Sequence, residues 1–336
     1  MALNKIKILY IMLFLFMIFV YINFHHTYQD YEPTQTGVLG GEVDCDFFIV
    51  ENHSVTLNSS AECPEVPPKL VGRLKVVVDI RSEEEIGTTD LEPGGEYIPI
   101  CTPRTSLAVV VPFRDREEHL WSLLNHLHPI LKRQQAHYRI FLVNQADNYT
   151  FNRAALFNVG FIEATKLFDW DCFIFHDVDL LTENDRNLYR CSSNPVHLSS
   201  ATNTHGYKLM KKELFGGVSA MTREQIEKVN GFSNQFWGWG GEDDDMSWRI
   251  RNAGYNLTHS DLKLGRYTMF KHDHDAGNPI NEDRYPFLKE KTPKYASIDG
   301  LNNIIYTVIE QEDKMLYTNI SVQLVYPIPV DFSNKS

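Results

Sequence analysis

The stretch between residues 107 and 180 predicts an α/β fold built on a parallel sheet. Three observations carry this. Apolar runs of strand length stand at 107–111, 139–143 and 171–175. Helical patterns separate them, the first placing Leu120, Leu123, Leu124, Leu127 and Leu131 on one stripe. Polar motifs follow the first and third runs, and in open α/β sheets ligands bind beyond the carboxyl ends of the strands.

The elements follow in order. Residues 1–7 carry Lys5 and Lys7 and read as a cytoplasmic tail. Residues 8–24 are uncharged and apolar, at the short end of what spans a bilayer. Basic residues stay on the cytoplasmic side, so the expectation is a type II anchor with the bulk of the chain in the lumen. A cleaved signal peptide is the alternative, but the run lacks a small-residue cleavage site. Residues 25–62 are polar and without period, and are read as a lumenal stem. Residues 63–336 are read as one globular domain.

Within it, the strand at 107–111 runs into Pro112, Phe113, Arg114, Asp115 and Arg116. A second helix is expected over 151–168, and the third strand ends in Asp177, Val178 and Asp179. Thr222 and Gln225 have capping-box spacing, and Asn230-Gly231 stops the short helix they start. A Trp-Gly-Trp-Gly-Gly loop then leads into Glu242, Asp243, Asp244 and Asp245, at the head of a helix reaching Ala253.

The formal charge of −12 offers no clustered basic surface for nucleic acid. An acidic protein binds a diphosphate only with a metal ion or a local arginine cluster. Carboxylates at a strand end, as at 177–179, hold a hard cation or simply cap a turn. Four acids at a helix start suit the helix dipole, but that does not account for the two tryptophans before them. Aromatic rings cover the apolar faces of sugars, and a carboxylate beside such a platform is a candidate general base. Arg114 and Arg116 suit phosphate or a plain surface. The stretch 269–275 is rich in ligand-type side chains without being decisive. Sequons stand at Asn52, Asn58, Asn148, Asn256 and Asn319, and five cysteines in an oxidising lumen suggest two disulfides and one spare thiol.

Taken together, CPEVPPKLVG (63–72), VVVPFRDREEHL (109–120), NQADNYTFNRAALFNVGF (144–161), FIFHDVDL (173–180), NLYRC (187–191), LFGGVSAMT (214–222) and FWGWGGEDDD (236–245) resemble the β-1,4-galactosyltransferase family, glycosyltransferase family 7. In donor-site residues the chain is most similar to invertebrate β-1,4-N-acetylgalactosaminyltransferases. The resemblance implies a GT-A fold, a Rossmann-like mixed sheet flanked by helices. It implies a Golgi enzyme that moves a sugar, with inversion, from a UDP-sugar donor to O4 of a terminal N-acetylglucosamine. By the same resemblance Pro112, Phe113, Arg114, Arg116, Phe151, Arg153, Asp177 and Val178 meet the nucleotide. Asp179, Met269 and His272 hold Mn2+, a mixed O, S and N set. Trp239 touches donor and acceptor, Asp243 is the general base, and Gly241, Glu242, Asp244, Arg284 and Tyr285 line the acceptor site. The segment from about 270 to 290 is the lid. The implied disulfides are Cys63–Cys101 and Cys172–Cys191, leaving Cys45 over.

Two departures bear on specificity. Leu214 stands where galactose-specific members carry Tyr, which opens room for a donor N-acetyl group and favours UDP-GalNAc over UDP-Gal or UDP-GlcNAc. Lys211 replaces an aromatic of the acceptor pocket. Rival readings are a non-catalytic carbohydrate-binding protein on the same fold and a metal-dependent hydrolase.

Overall fold

The strand at the centre of the sheet, β1 (Ser106–Phe113), is buried along its whole length. Its alternate residues serve two cores. Ala108 and Val110 join the cluster built by α2 (Arg153–Leu167), whereas Leu107, Val109 and Val111 join that built by α1 (Glu117–Arg133). Helices on both faces of a sheet require strands that are apolar on both sides, which is why the sequence shows a run rather than an alternation. These elements belong to a computed structural model that describes residues 61–86, 90–270 and 277–326. The expected tail and anchor, the stem up to residue 60, Cys45, Asn52, Asn58 and His272 lie outside the described residues. Among those described, no helix is long and apolar enough to cross a membrane.

β1 pairs in parallel with β2 (His137–Gln145) and β3 (Cys172–His176), as the sequence predicts. β4 (Leu180–Thr182), β5 (Val196–His197) and β6 (Ala201–Thr202) follow, then β7 (Val218–Thr222), α3 (Arg223–Lys228) and α4 (Glu242–Asn252). The chain closes with β8 (Thr258–His259), β9 (Arg266–Met269), α5 (Arg284–Glu290), α6 (Thr292–Tyr295), β10 (Tyr306–Asp313) and β11 (Thr318–Leu324). The large sheet has the order β10-β11-β2-β1-β3-β7-β5-β8, and a small one the order β4-β9-β6. The large sheet is mixed: β7 runs antiparallel to β3, and β10 antiparallel to β11. Each pairing fixes a functional segment. β3–β7 sets the Asp177 turn against Gly217, whose carbonyl accepts the Asp177 amide at 3.0 Å. β4–β9 sets Leu180 opposite Met269.

Disulfides join Cys63 to Cys101 and Cys172 to Cys191. Asn148 and Asn256 are exposed, whereas Asn319 lies half-buried on β11.

Candidate active site

A cleft of about 200 Å³ opens beyond the carboxyl ends of β1 and β3. Pro112, Arg114 and Arg116 line one side; Asp177, Val178 and Asp179 another; Phe151, Arg153, Trp239, Glu242 and Asp243 the rest. Eleven of the sequence-predicted residues therefore share one cavity. Phe113 instead points into the core, and Gly241, Asp244, Met269, Arg284, Tyr285 and Leu214 are not among the residues that line the cleft.

Local sequence explains the placement. Asp115 adopts φ +52, turning the chain out of β1 so that Arg116 stands at the start of α1. Asn152 caps α2, its side chain accepting the Ala155 amide at 2.9 Å and donating to the Asn234 carbonyl at 2.8 Å. That seats Arg153 in the first turn, with its guanidinium 4.6 Å over the Phe157 ring. Arg114 donates to the carbonyls of Tyr149 and Gly277, both at 2.7 Å. Phe151 and Gly238 extend this seam, because the Gly238 amide donates to the Phe151 carbonyl at 2.8 Å. Trp239, half exposed, is held by main-chain bonds to Pro279 and Asn281.

Arg153 is the electrostatic centre. Its Nε meets Asp177 at 2.5 Å, and its Nη1 meets Asp243 at 2.8 Å and Glu242 at 3.4 Å. One guanidinium thus faces three carboxylates, with Asp179 beside them. Burial pushes Asp177 up to about 7, with Arg153 opposing and Asp179 adding to the rise. Burial likewise pushes Glu242 up to about 7, and neighbouring Asp243 adds to it. These are carboxylates short of positive charge, and a divalent cation fits that deficit. The donor set fits as well. The Phe270 amide donates to the Asp179 carbonyl at 3.0 Å, which brings Asp179 beside Met269. Among the described residues, His, Cys, Asp and Glu alone form no group of three that could hold a metal; the thioether of Met269 falls outside that set, and His272 outside those residues.

The carboxylate of Asp243 is seated by a glycine. A Cβ on Gly216 would lie 2.1 Å from Asp243 Oδ2. Gly241, at φ +102, opens α4 in a conformation that side-chain-bearing residues rarely adopt. Asp244 pairs with Lys211. Arg284 packs its side chain over Gly240 and Gly241, and Tyr285 is exposed.

Sequence reasoning missed three participants. His119 lines the cleft and stacks on Phe270 at 5.0 Å; its place in the first turn of α1, three residues after Arg116, was the available signal. Asn278 also lines it, and its buried Oδ1 has no partner among the described residues. Asn203 brackets Met269, accepting its amide at 2.8 Å and donating to its carbonyl at 3.3 Å. Neither asparagine stands in a pattern that would have marked it.

Comparison with known proteins agrees with this arrangement. A family model described as the N-terminal region of glycosyl transferase group 7 matches residues 63–192, and one described as the N-terminal domain of galactosyltransferase matches residues 196–273. β-1,4-galactosyltransferase 4 of Cricetulus griseus is 46% identical over 263 residues, covering 77% of this chain and 76% of that protein. Human β-1,4-galactosyltransferase 3 is 47% identical over 267 residues, covering 78% and 68%. The catalytic domain of Drosophila β1,4-galactosyltransferase 7, solved with xylobiose, superposes with a TM-score of 0.56 at 33% identity, covering 66% of this chain and 94% of that one. A mutant of the same enzyme, 32% identical with the same TM-score and coverage, was solved with manganese, UDP-Gal and xylobiose. On the strength of these matches, spread across the same strands and loops that build the cleft, the chain belongs to the β-1,4-galactosyltransferase family, glycosyl transferase group 7.

Proposed function

We propose that this UDP-sugar hexosyltransferase moves GalNAc or Gal from its UDP donor to O4 of a terminal N-acetylglucosamine, with inversion, and depends on Mn2+. The observation that carries the reading is the Arg153 clamp, which joins the acids of the nucleotide side, at Asp177, to the acid proposed as base, at Asp243. In this reading Asp179, Met269 and His272 hold the manganese ion. That ion supplies positive charge to the pyrophosphate and to the developing UDP leaving group. Arg114, Arg116, Phe151 and Val178 line the nucleotide side. Asp243 Oδ accepts the proton of the acceptor O4 as that oxygen attacks the anomeric carbon from the face opposite UDP, so an α-linked donor gives a β-linked product. Trp239 shields the reacting pair from water, and Glu242, Asp244, Arg284 and Tyr285 orient the acceptor sugar.

Leu214 supports UDP-GalNAc as the favoured donor. It precedes Phe215 and Gly216, and Gly216 abuts Asp243, the acid proposed as base. The relatives' activity supports the alternative, UDP-Gal. The test is a donor screen of the full chain with UDP-Gal, UDP-GalNAc and UDP-GlcNAc, a GlcNAc glycoside, and Mn2+ present or chelated. Product transfer that requires Mn2+ is expected. Release of free sugar without transfer would indicate a hydrolase instead, and binding without turnover a lectin-like protein. Leu214→Tyr should shift donor preference towards UDP-Gal; an unchanged ratio would remove the GalNAc argument. The reading also places residues 8–24 in a Golgi membrane, with residues 63–336 as the lumenal catalytic domain after the 25–62 stem. Protease protection in sealed vesicles tests that topology.

A further inference from the structure

Outside the cleft, two histidines face each other across β5 and β8. His197 and His259 are in register on these parallel strands, and their Nδ1 atoms lie 3.0 Å apart. His197 is almost fully buried, whereas His259 is half-buried. Two imidazole nitrogens can share one hydrogen only if one donates and the other is bare. The surrounding bonds assign which is which. His259 Nε2 lies 2.9 Å from the Lys212 carbonyl, which can only accept. A neutral His259 therefore carries its proton on Nε2 and leaves Nδ1 bare. His197 must then donate from Nδ1, leaving its own Nε2 bare, 3.3 Å from the Ser199 hydroxyl. Ser199 Oγ in turn accepts the Val218 amide at 2.8 Å and lies 3.2 Å from the Gly216 carbonyl.

This relay runs from β7 to both ends of the 211–216 loop. That loop carries Lys211, paired with Asp244, then Leu214, then Gly216 against the carboxylate of Asp243. We propose that the His197–His259 pair is a positioning element for the sugar-selecting loop, holding it in place through this hydrogen-bonded relay. The inference rests on the reading of the cleft given above.

Ser219 of β7 stands in register with His197, and Ser199 follows β5. The loop contributes Lys211, engaged with Asp244, the Lys212 main chain, and Glu213, which is exposed. Past β8, Asp261 accepts the Lys263 amide of its own turn. Protonating His197 would place a charge where water is excluded; burial first, and then the neighbouring His259, hold that ring down at about 3.

Two variants of the full chain separate the roles. A glutamine side chain offers one donor nitrogen and one acceptor oxygen, so His259→Gln keeps the relay. His259→Leu removes it. Assays at pH 7.5 would follow acceptor KM, the UDP-GalNAc to UDP-Gal ratio, UDP affinity, and amide-exchange protection across 211–218. His259→Leu should raise acceptor KM about five- to tenfold at pH 7.5, the loss of one or two buried hydrogen bonds, and leave UDP affinity unchanged. His259→Gln should stay close to wild type. Unchanged KM and protection in His259→Leu, or a rise in His259→Gln equal to that in His259→Leu, would overturn the proposal. Amide exchange needs no turnover. If no donor is transferred the enzymatic reading fails, while the loop's protection still decides the role of the pair.

Discussion

Replacing Gly216 by alanine should disable Asp243 without unfolding the protein. The added Cβ would stand 2.1 Å from Asp243 Oδ2 and 2.8 Å from its Cγ. Ordinary contact begins near 3.4 Å, so the carboxylate must retreat by 3.4 − 2.1 = 1.3 Å. The clashing atoms are the end of a side chain, partly exposed, that can rotate away from its 2.8 Å bond to Arg153. The folding cost is therefore small. The catalytic cost is not, because a base must sit within hydrogen-bond reach of its proton. A misplacement of about 1 Å costs on the order of a hundredfold in rate. The expected result is kcat down by about that factor, with UDP-sugar KM and Tm nearly unchanged. Steady-state kinetics with saturating acceptor, alongside a thermal melt, would measure both. A variant with kcat within twofold of wild type would refute the claim that Asp243 acts from this position. A large fall in Tm would refute the packing argument.

Other expectations follow from the same coordinates. Asp179→Asn should raise the Mn2+ concentration needed for half-maximal UDP binding by about tenfold or more, read by calorimetry, and no change would remove Asp179 from the ligand set. Removing both Cys172 and Cys191 opens a link of sequence separation 19; a loop of that size is worth about 3 kcal/mol, so Tm should fall by roughly 6–12 °C. His128 is buried between the Tyr138 hydroxyl and the Leu316 carbonyl, and burial holds it down at about 4. Its folded value lies below the unfolded 6.5, so the unfolded chain binds the extra proton and stability falls as pH drops from 6.5 towards 4. At pH 5 the loss from this ring is about 2 kcal/mol, and denaturant titration of His128→Gln should show a shallower acid decline than wild type.

The central sheet was readable because physics leaves a plain mark there. β1, β2 and β3 are buried on both faces, so they appear as apolar runs, and their parallel direction follows from the helices between them. The hairpin β10–β11 left no such mark. Nearly all of β10 is exposed and it reads Thr-Val-Ile-Glu-Gln-Glu-Asp after its first residue, because an edge strand need not be apolar. The antiparallel entry of β7 was equally silent, since strand direction depends on a connection whose path a short apolar stretch does not record. In the site, the strand-end acids and the Trp-Gly loop announced themselves by composition. What joins them did not. Arg153, Gly216 and Asn203 act through contacts spanning more than 25 residues of sequence, and no local period encodes those.

The position of the proposed base is therefore a property of packing rather than of its own helix. Asp243 lies in the first turn of α4, where an acid is favourable for helix reasons alone. Its carboxylate is fixed from two other directions: the Gly216 backbone, delivered by β7, and Arg153, delivered by α2 through the Asn152 cap. The same guanidinium reaches Asp177, so the acid on the nucleotide side and the acid on the acceptor side share one positive charge. A pyrophosphate entering beside Asp177 would compete for that charge and raise the repulsion around Asp243, unless a cation arrives with it. Arg114 and Arg116 line the same cleft and add positive charge on the side proposed for the nucleotide. On the proposed reading, the cluster that orients Asp243 is the one that the nucleotide and its cation meet, so the three are coupled through Arg153.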